Sequence, residues 1–292
     1  MSLFEDYFIE IYGSRWAALE KALKQAPVQG LFKNPFTEGV PARLQEFERK
    51  SENLWIKKPG QNFNPQRDSQ GLLDVYVLDL ASVFVAQAVG VNDGDQVLDM
   101  CAAPGGKSLV MFSSMMNSGL LVSNDISMDR RLRMKGIFDQ YIPAPHRARI
   151  SVRGFDGVQY GLKTAAQFDR VLLDAPCSGE RHLMENPSAV SEWKLKKSQG
   201  LAQRQYALLC AALLAVKPGG TVIYSTCSMN PLENDKVIER LQERKSDDFK
   251  LIELALTEGA ERTQFGVQFL PDGGSEFMNS GPMYCCKIER LL

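Results

Sequence analysis

Cys177 stands in Asp174-Ala175-Pro176-Cys177-Ser178-Gly179, and Cys227 stands in Ser225-Thr226-Cys227-Ser228. Each motif follows a short apolar run, Val171-Leu172-Leu173 in one case and Thr221-Val222-Ile223-Tyr224 in the other. In an open α/β sheet the carboxyl ends of the strands face the ligand crevice. Two thiols directed there, with the acid Asp174 close before one of them, suit nucleophilic chemistry better than core packing. A lone cysteine is usually a small buried hydrophobe. Cys210, inside the apolar helical run from Tyr206 to Ala212, reads that way, and Cys285 and Cys286 have no acid or glycine nearby.

A second constellation lies upstream. Asp99-Met100 runs into Cys101-Ala102-Ala103-Pro104-Gly105-Gly106-Lys107-Ser108. Small residues let a ligand approach the backbone, and a helix that follows offers free N–H groups at its start. The run is neither GxGxxG nor GxxxxGK[ST], so neither a dehydrogenase fingerprint nor a phosphate loop is read here. Asp125 comes directly after the next apolar run, where an acid accepts hydrogen bonds from ribose hydroxyls. A helix cap is an equal alternative. Asp156, in Gly154-Phe155-Asp156-Gly157, could accept from an adenine amino group or simply close a turn. Three such features on consecutive strand ends point to one extended adenosine ligand.

The elements that must position these groups follow from periodicity. Tyr7, Phe8, Ile11 and Tyr12, then Trp16, Leu19 and Leu23, recur at helical spacing. Residues 41 to 56 read as another helix, with Leu44, Phe47 and Trp55 as packing points, and residues 57 to 71 read as loop. A helix pattern runs through Val83, Phe84 and Ala88. From Gln96 the period changes. Strands are expected at Val97–Met100, Leu120–Val122, Arg149–Val152, Phe168–Leu173 and Thr221–Tyr224, with a clear helix from Gln203 to Val216 and a late edge strand from Met283 to Ile288. Strands alternating with helices imply βαβ units and a largely parallel sheet.

The chain of 292 residues is 44% hydrophobic and 24% charged, which suits a folded protein with a full-sized core. Its formal net charge of -1 excludes bulk electrostatic attraction to nucleic acid, so any such binding needs a local patch. The six cysteines make neither a CxxC pair nor a zinc finger, so free thiols and no metal site are expected. No apolar run approaches the roughly 20 residues of a membrane span. The start, Met-Ser-Leu-Phe-Glu-Asp, is acidic and favours the cytoplasm, with a mitochondrial location following if a leader has been removed.

The three motifs, in their order and placement, resemble the RsmB/Nop2/Sun family of RNA cytosine-C5 methyltransferases. The resemblance covers about residues 70 to 292. Arg181-His182 and Gly281-Pro282-Met283-Tyr284 are similar to a compact branch that includes the mitochondrial rRNA and tRNA enzymes of animals. The resemblance implies a Rossmann-like class I methyltransferase fold, with a mainly parallel sheet flanked by helices. Residues 1–70 would form an N-terminal helical extension able to contact RNA, and residues 71–292 the methyltransferase domain.

The implied cofactor is S-adenosyl-L-methionine. Residues Cys101, Ala102, Ala103, Pro104, Gly105, Gly106 and Lys107 would surround its methionine and ribose part, Asp125 would hold the ribose and Asp156 the adenine side. Asp174 would lie between cofactor and target base. Lys107 would face the methionine carboxylate or the target nucleotide; the alternative is a solvated first-turn lysine. Cys227 would be the nucleophile and Cys177 would assist product release. The chemistry needs such groups, because carbon 5 of cytosine attacks a sulfonium methyl only after a thiolate has added to carbon 6. Asp174 could relieve the charge at N3 if it carries or shares a proton. DNA cytosine methyltransferases use a cysteine after proline, which would assign the nucleophile to Cys177 instead. A ribosome-assembly or RNA-binding factor that retains the fold is the non-enzyme alternative.

For the RNA, Lys194, Lys196 and Lys197 follow the Cys177 loop and could hold phosphates, with Arg181 and Asn186 as further contacts. The Arg130, Arg131, Arg133 and Lys135 cluster is diluted by acids. Trp55, Phe63 and Trp193 could stack on splayed bases or anchor the core. The expected partner is rRNA or tRNA, in a ribosomal particle or with a helper protein.

Overall fold

The computed structural model describes residues 2–273 and 279–292. The chain opens with two helices, Leu3–Tyr12 and Trp16–Leu23. Ser2 and Glu5 form a reciprocal capping box at the first, each side chain bonding the other's backbone N–H, and Gly13 ends it at φ 56°. Phe4 and Phe8, one turn apart, bury against Trp16, Leu19 and Trp193.

The expected helix over 41 to 56 does not form. Strands β1 (Gln29–Lys33), β2 (Glu48–Ser51), β3 (Leu54–Lys57) and β4 (Val75–Asp79) make an antiparallel sheet in the order β2-β3-β1-β4. A single turn of 3₁₀ helix, Ala42–Glu46, is all the helix there is in this stretch. The physical reason is alternation along β3. Leu54 and Ile56 pack into the main core while Trp55 faces Leu31, Leu44 and Val75 on the other side. Residues 1–70 are therefore helical at Leu3–Tyr12 and Trp16–Leu23, and beyond them carry three strands joined by turns and loops. The sheet crosses position 70, since β1 pairs β4 from Gln29↔Asp79 to Lys33↔Val75.

The larger sheet carries the site. It contains β5 (Gln96–Asp99), β6 (Leu120–Asn124), β7 (Ile150–Arg153), β8 (Phe168–Asp174) and β9 (Val216–Thr226). It also contains β10 (Phe249–Ile252), β11 (Ala260–Arg262), β12 (Val267–Phe269) and β13 (Met283–Arg290). The order is β11-β12-β13-β9-β8-β5-β6-β7, with β10 also on β13. The five strands β5 to β9 run parallel, and β13 is antiparallel to β9. All six strands expected from Gln96 onward are present. Met283–Arg290, however, is internal, flanked by β9, β12 and β10. Its outer neighbours are only three or four residues long, too short for a legible alternation.

Both faces of this sheet are covered. Leu172 and Ile223 enter one core with Val83, Val110 and Met134; Val171, Leu173, Val222 and Tyr224 enter the other with Leu208, Leu209 and Ile238. Burial on both faces is why the strands read as continuous apolar runs. The helix Leu195–Ala215 begins six residues earlier than Leu201, the first apolar position of its buried half, and its first turn is lysine-rich and exposed.

The N-terminal helices hold to the rest through Phe4, Phe8, Trp16 and Trp193, with Phe8 stacked on Trp16 at 5.3 Å between centroids. Phe8→Ala should lower unfolding free energy by about 3–5 kcal/mol. Urea denaturation checks this, and a loss below about 1 kcal/mol would mean the helices dock elsewhere.

Candidate active site

The strand order turns at β5, where the chain passes first to β6 and β7 on one side and then to β8 and β9 on the other. Ligand crevices form at such points, outside the carboxyl ends. Both thiols are there. β8 and β9 are in register with Asp174 opposite Ser225, so the segments that follow leave the sheet at the same level. Cys177 Sγ and Cys227 Sγ lie 2.8 Å apart, and the Cys227 N–H donates to Cys177 Sγ at 3.2 Å. All six cysteines are free; Cys227 is exposed and Cys177 half-buried. The hydrogen bond with Cys227, then burial, then the neighbouring charges of Cys227, Glu180 and Asp174 push the Cys177 thiol well above its ordinary range.

Asp174 borders two hollows, which share Ser82, Lys107 and Asp174 in their walls. One is a cleft of about 120 Å³ lined by Cys101, Ala102, Ala103, Pro104, Gly106, Lys107 and Asp174, with Tyr76, Leu78, Ser82 and Asp99 closing it. The other lies beside Cys227, between Asp79, Lys107, Asp174, Arg181, Pro282 and Met283. Lys107 is no solvated lysine: its Nζ donates to Asp174 Oδ2 at 2.7 Å between the two hollows. Burial pulls its ammonium down, but the charge and hydrogen bond of Asp174 outweigh this and leave it raised.

The loop after β5 is shaped for close approach. The Ala103–Pro104 peptide is cis. Gly105 has φ 112°, outside the range of ordinary side chains, and a Cβ on Gly106 would sit 2.7 Å from the Tyr76 ring. Asp99 is fully buried, its Oδ2 accepting from Ser108 at 2.7 Å while Oδ1 has no hydrogen-bond partner among the described residues. Burial pushes it up to about 7; the Ser108 bond opposes this and the charge of Asp174 adds to it. Asp125 Oδ1 accepts from the Ser127 N–H at 2.9 Å, closing a turn, while buried Oδ2 has no hydrogen-bond partner among the described residues and lies 3.2 Å from Arg130. Asp156 accepts from the Val158 N–H at 3.1 Å and pairs with Arg204 at 2.6 Å, and that bond lowers it.

The residues expected to meet substrate divide into three groups. Lys194, Lys196 and Lys197 are exposed, with no ion pair among the described residues. Asn186 caps the short helix Pro187–Ser191 through Ser188. Arg181 lines the second hollow, yet its guanidinium donates to the carbonyls of Gly281 (2.7 Å), Leu23 (2.9 Å), Gln25 (2.9 Å) and Asn279 (2.6 Å). Its visible role is a tether between the Cys177 loop, the N-terminal segment and the turn before β13. Trp193 and Trp55 are buried core anchors, and Phe63 packs edge-on against Phe47. Two arginines of the Arg130–Lys135 cluster bond to the fold itself, Arg130 to the Ala103 carbonyl and Arg131 to the Asp125 and Ile126 carbonyls.

Sequence reasoning missed Tyr76, Leu78, Asp79 and Ser82. They come from β4 and the helix after it, and no local motif marks them. Among the described residues there is no cluster able to hold a metal ion, and no helix is long and apolar enough to cross a membrane.

A family profile described as 16S rRNA methyltransferase RsmB/F matches residues 86–288, which include every loop just described except β4 and its turn. The chain belongs to this family. Among relatives, the 5-cytosine rRNA methyltransferase NSUN4 of Mus musculus is 35% identical over 246 residues, covering 78% of this chain and 64% of that protein. The mitochondrial tRNA (cytosine(34)-C(5))-methyltransferase of Mus musculus is 30% identical over 256 residues, covering 82% and 71%. The chain thus spans less than two thirds of the length of the NSUN4 relatives it matches. NSun6 from Pyrococcus horikoshii, solved with SFG, superposes with a TM-score of 0.79 at 18% identity over 99% of this chain and 98% of that one. A methyltransferase homologue from the same organism superposes with a TM-score of 0.78 at 22% identity, over 98% and 94%. These two likenesses show the RsmB/F chain to have the class I methyltransferase fold.

Two outcomes follow from this geometry. At pH 8 iodoacetamide should modify exposed Cys227 well before Cys177, whose thiol keeps its proton; Cys177 labelling should then climb about tenfold per pH unit. Mass spectrometry of tryptic peptides decides, and equal labelling of both at pH 8 would contradict the assignment. Arg181→Ala should cost about 1–3 kcal/mol of stability, because carbonyls lose a charged donor. A variant with unchanged urea midpoint would return Arg181 to the role of a substrate contact alone.

Proposed function

We propose that this chain transfers a methyl group from S-adenosylmethionine to carbon 5 of a cytosine in rRNA or tRNA, through a covalent bond between Cys227 and carbon 6. The observation that carries this reading is the thiol pair, 2.8 Å apart, beside the Lys107–Asp174 ion pair. The crevice suits the cofactor. Among the described residues buried Asp125 Oδ2 has only the Arg130 guanidinium near it, 3.2 Å away, and could accept from ribose hydroxyls, and Cys101, Ala102, Ala103, Pro104, Gly106 and Lys107 line the cleft. Asp156, already held by Arg204, would reach the adenine side only in competition with that arginine.

S-adenosylmethionine, when bound, supplies an electrophilic methyl group. Cys227, the exposed thiol, gives its sulfur lone pair as thiolate to carbon 6. Electron density released toward N3 is met by the Lys107–Asp174 pair, in which the Lys107 ammonium donates to Asp174 Oδ2 at 2.7 Å. Carbon 5 then takes the methyl group, and the electron pair of the broken S–CH3 bond stays on the cofactor sulfur, which would leave as a neutral thioether. The carbon 5 proton leaves to a base, the carbon 5–carbon 6 double bond re-forms and the Cys227 sulfur departs with its electron pair. Cys177 stands next to that sulfur, where its S–H can donate to the departing Cys227 thiolate and help position the base that takes the proton. The opposite assignment, with Cys177 as nucleophile, is disfavoured by its partial burial and by the shift that keeps it protonated.

The relatives named above act on rRNA and on tRNA, and the exposed Lys194, Lys196 and Lys197 offer sequence-independent phosphate contacts beside the Cys177 loop. A ribosomal particle or helper protein would supply the grip that a net charge of -1 does not.

The test pairs radiolabelled S-adenosylmethionine with unmethylated rRNA, tRNA and DNA. Label at carbon 5 of RNA cytosine should appear with the wild type and vanish with Cys227→Ala. Cys177→Ala should accumulate a protein–RNA adduct on denaturing gels. An adduct that needs Cys177 instead reverses the thiol roles, better transfer to DNA overturns the substrate class, and RNA binding without transfer supports a factor that only retains the fold.

A further inference from the structure

Behind the two thiol loops lies a buried acid that the reaction above does not use. Glu180 opens the short helix Glu180–Met184, three positions after Cys177, and is 1% exposed. Its carboxylate accepts from the Ser178 hydroxyl on the Cys177 loop. It also accepts from the Ser228 hydroxyl at 2.9 Å and from the Met229 N–H at 3.0 Å, both on the Cys227 loop. The two hydroxyls are themselves 3.1 Å apart. A second buried acid, Glu233, accepts from the Ser178 N–H and from Gln205 Nε2, each at 2.9 Å, and that amide also donates to the Pro176 carbonyl. The residues on either side of Cys177, and the one after Cys227, are thus fixed from inside the protein.

We propose that Glu180 is a positioning residue for the methyl transfer: by joining Ser178 to Ser228 it sets the spacing of Cys177 and Cys227. The proposal rests on the reading of those thiols as a working pair. Two observations support it. Glu180 lines neither hollow, so it has no direct contact to offer cofactor or base. No Lys or Arg pairs with it among the described residues, although an unpaired buried acid is costly. Burial pushes its carboxyl up to about 7, the Ser178 bond working against this and the charge of Glu233 with it. Packing alone would be served better by an apolar side chain. What the carboxyl adds is one acceptor for donors, Ser178 and Ser228, from two loops and 50 positions apart in sequence.

Glu180→Ala, and separately Ser178→Ala with Ser228→Ala in one protein, test the idea against wild type. The first readout needs no RNA: the rate at which diamide closes a Cys177–Cys227 disulfide, two thiols being oxidised as diamide is reduced to its hydrazine. The second is steady-state methyl transfer, and the third is S-adenosylmethionine binding by calorimetry. Disulfide closure and kcat should each fall about 10²-fold, the scale expected of an ångström-sized misplacement. KM for RNA and cofactor affinity should stay within about twofold, the split expected when only the reacting geometry is lost. Closure and kcat within about threefold of wild type, in a variant with native circular dichroism, would overturn the proposal. Should Glu180→Ala not fold, the double serine variant decides alone, since it keeps the acid and removes only the bridges. Should the wild type transfer no methyl group to any RNA, the closure rates still judge the role of Glu180, and only the functional reading fails.

Discussion

β8 and β9 run parallel with Asp174 level with Ser225, and that register is the constraint on which the site depends. It brings Cys177 and Cys227 out of the sheet side by side although 50 positions separate them in the chain. A slip of one residue would turn the buried Leu173 and Tyr224 away from their core and cost far more than any local adjustment. The hydrophobic cores on both faces therefore fix the thiol geometry, and the loops refine it. The backbone bond from the Ala175 N–H to the Ser225 carbonyl at 2.8 Å extends the ladder one step beyond β8.

A second constraint comes from the other end of the chain. β13 pairs antiparallel with β9, with Tyr284 opposite Thr226, so the segment before it arrives at the thiols. Pro282 and Met283 wall the hollow there, and Arg181 ties that turn to the N-terminal segment. The small antiparallel sheet closes the remaining side: Tyr76 of β4 packs over Gly106, and Asp79 caps the following helix while accepting from the Gly281 N–H at 3.1 Å. Burial raises Asp79, its bonds to backbone N–H groups oppose this, and the position it holds lies where the N-terminal sheet, the cofactor loop and the β13 turn converge. The crevice is thus assembled from both ends of the chain around the parallel strands.

Electrostatics at the site are those of a confined set of opposite charges. Lys107 meets Asp174 directly, and Asp99 lies behind them with one oxygen bonded to Ser108. Burial and the charge of Asp174 both favour the neutral form of Asp99, while the Asp174 charge favours the ammonium of Lys107. Removing a single member would leave an uncompensated neighbour in a poorly solvated place. The thiols differ in the same way: Cys177 sits among negative neighbours and stays protonated, and Cys227 faces the hollow.

The sequence by itself determined the parallel sheet, the strand ends, and the three loops that carry Cys101–Lys107, Asp174–Gly179 and Ser225–Ser228. It could do so because strands buried on both faces are continuous apolar runs and because glycine and proline mark the turns after them. It did not determine β1 to β3, since Leu44, Phe47 and Trp55 satisfy a helical spacing as well as a hairpin whose residues alternate between two cores. Nor did it separate the roles of like residues. Arg181 and Lys194 are both basic residues near Cys177, yet one is spent on four carbonyls and the other faces solvent. Trp193 reads as a base-stacking candidate until Phe4 and Phe8 are seen to enclose it. The burial of Glu180, its bridge between the two loops and the 2.8 Å approach of the thiols were decided only by the tertiary structure. They arise from contacts between segments far apart in the chain, and local pattern carries no record of such contacts.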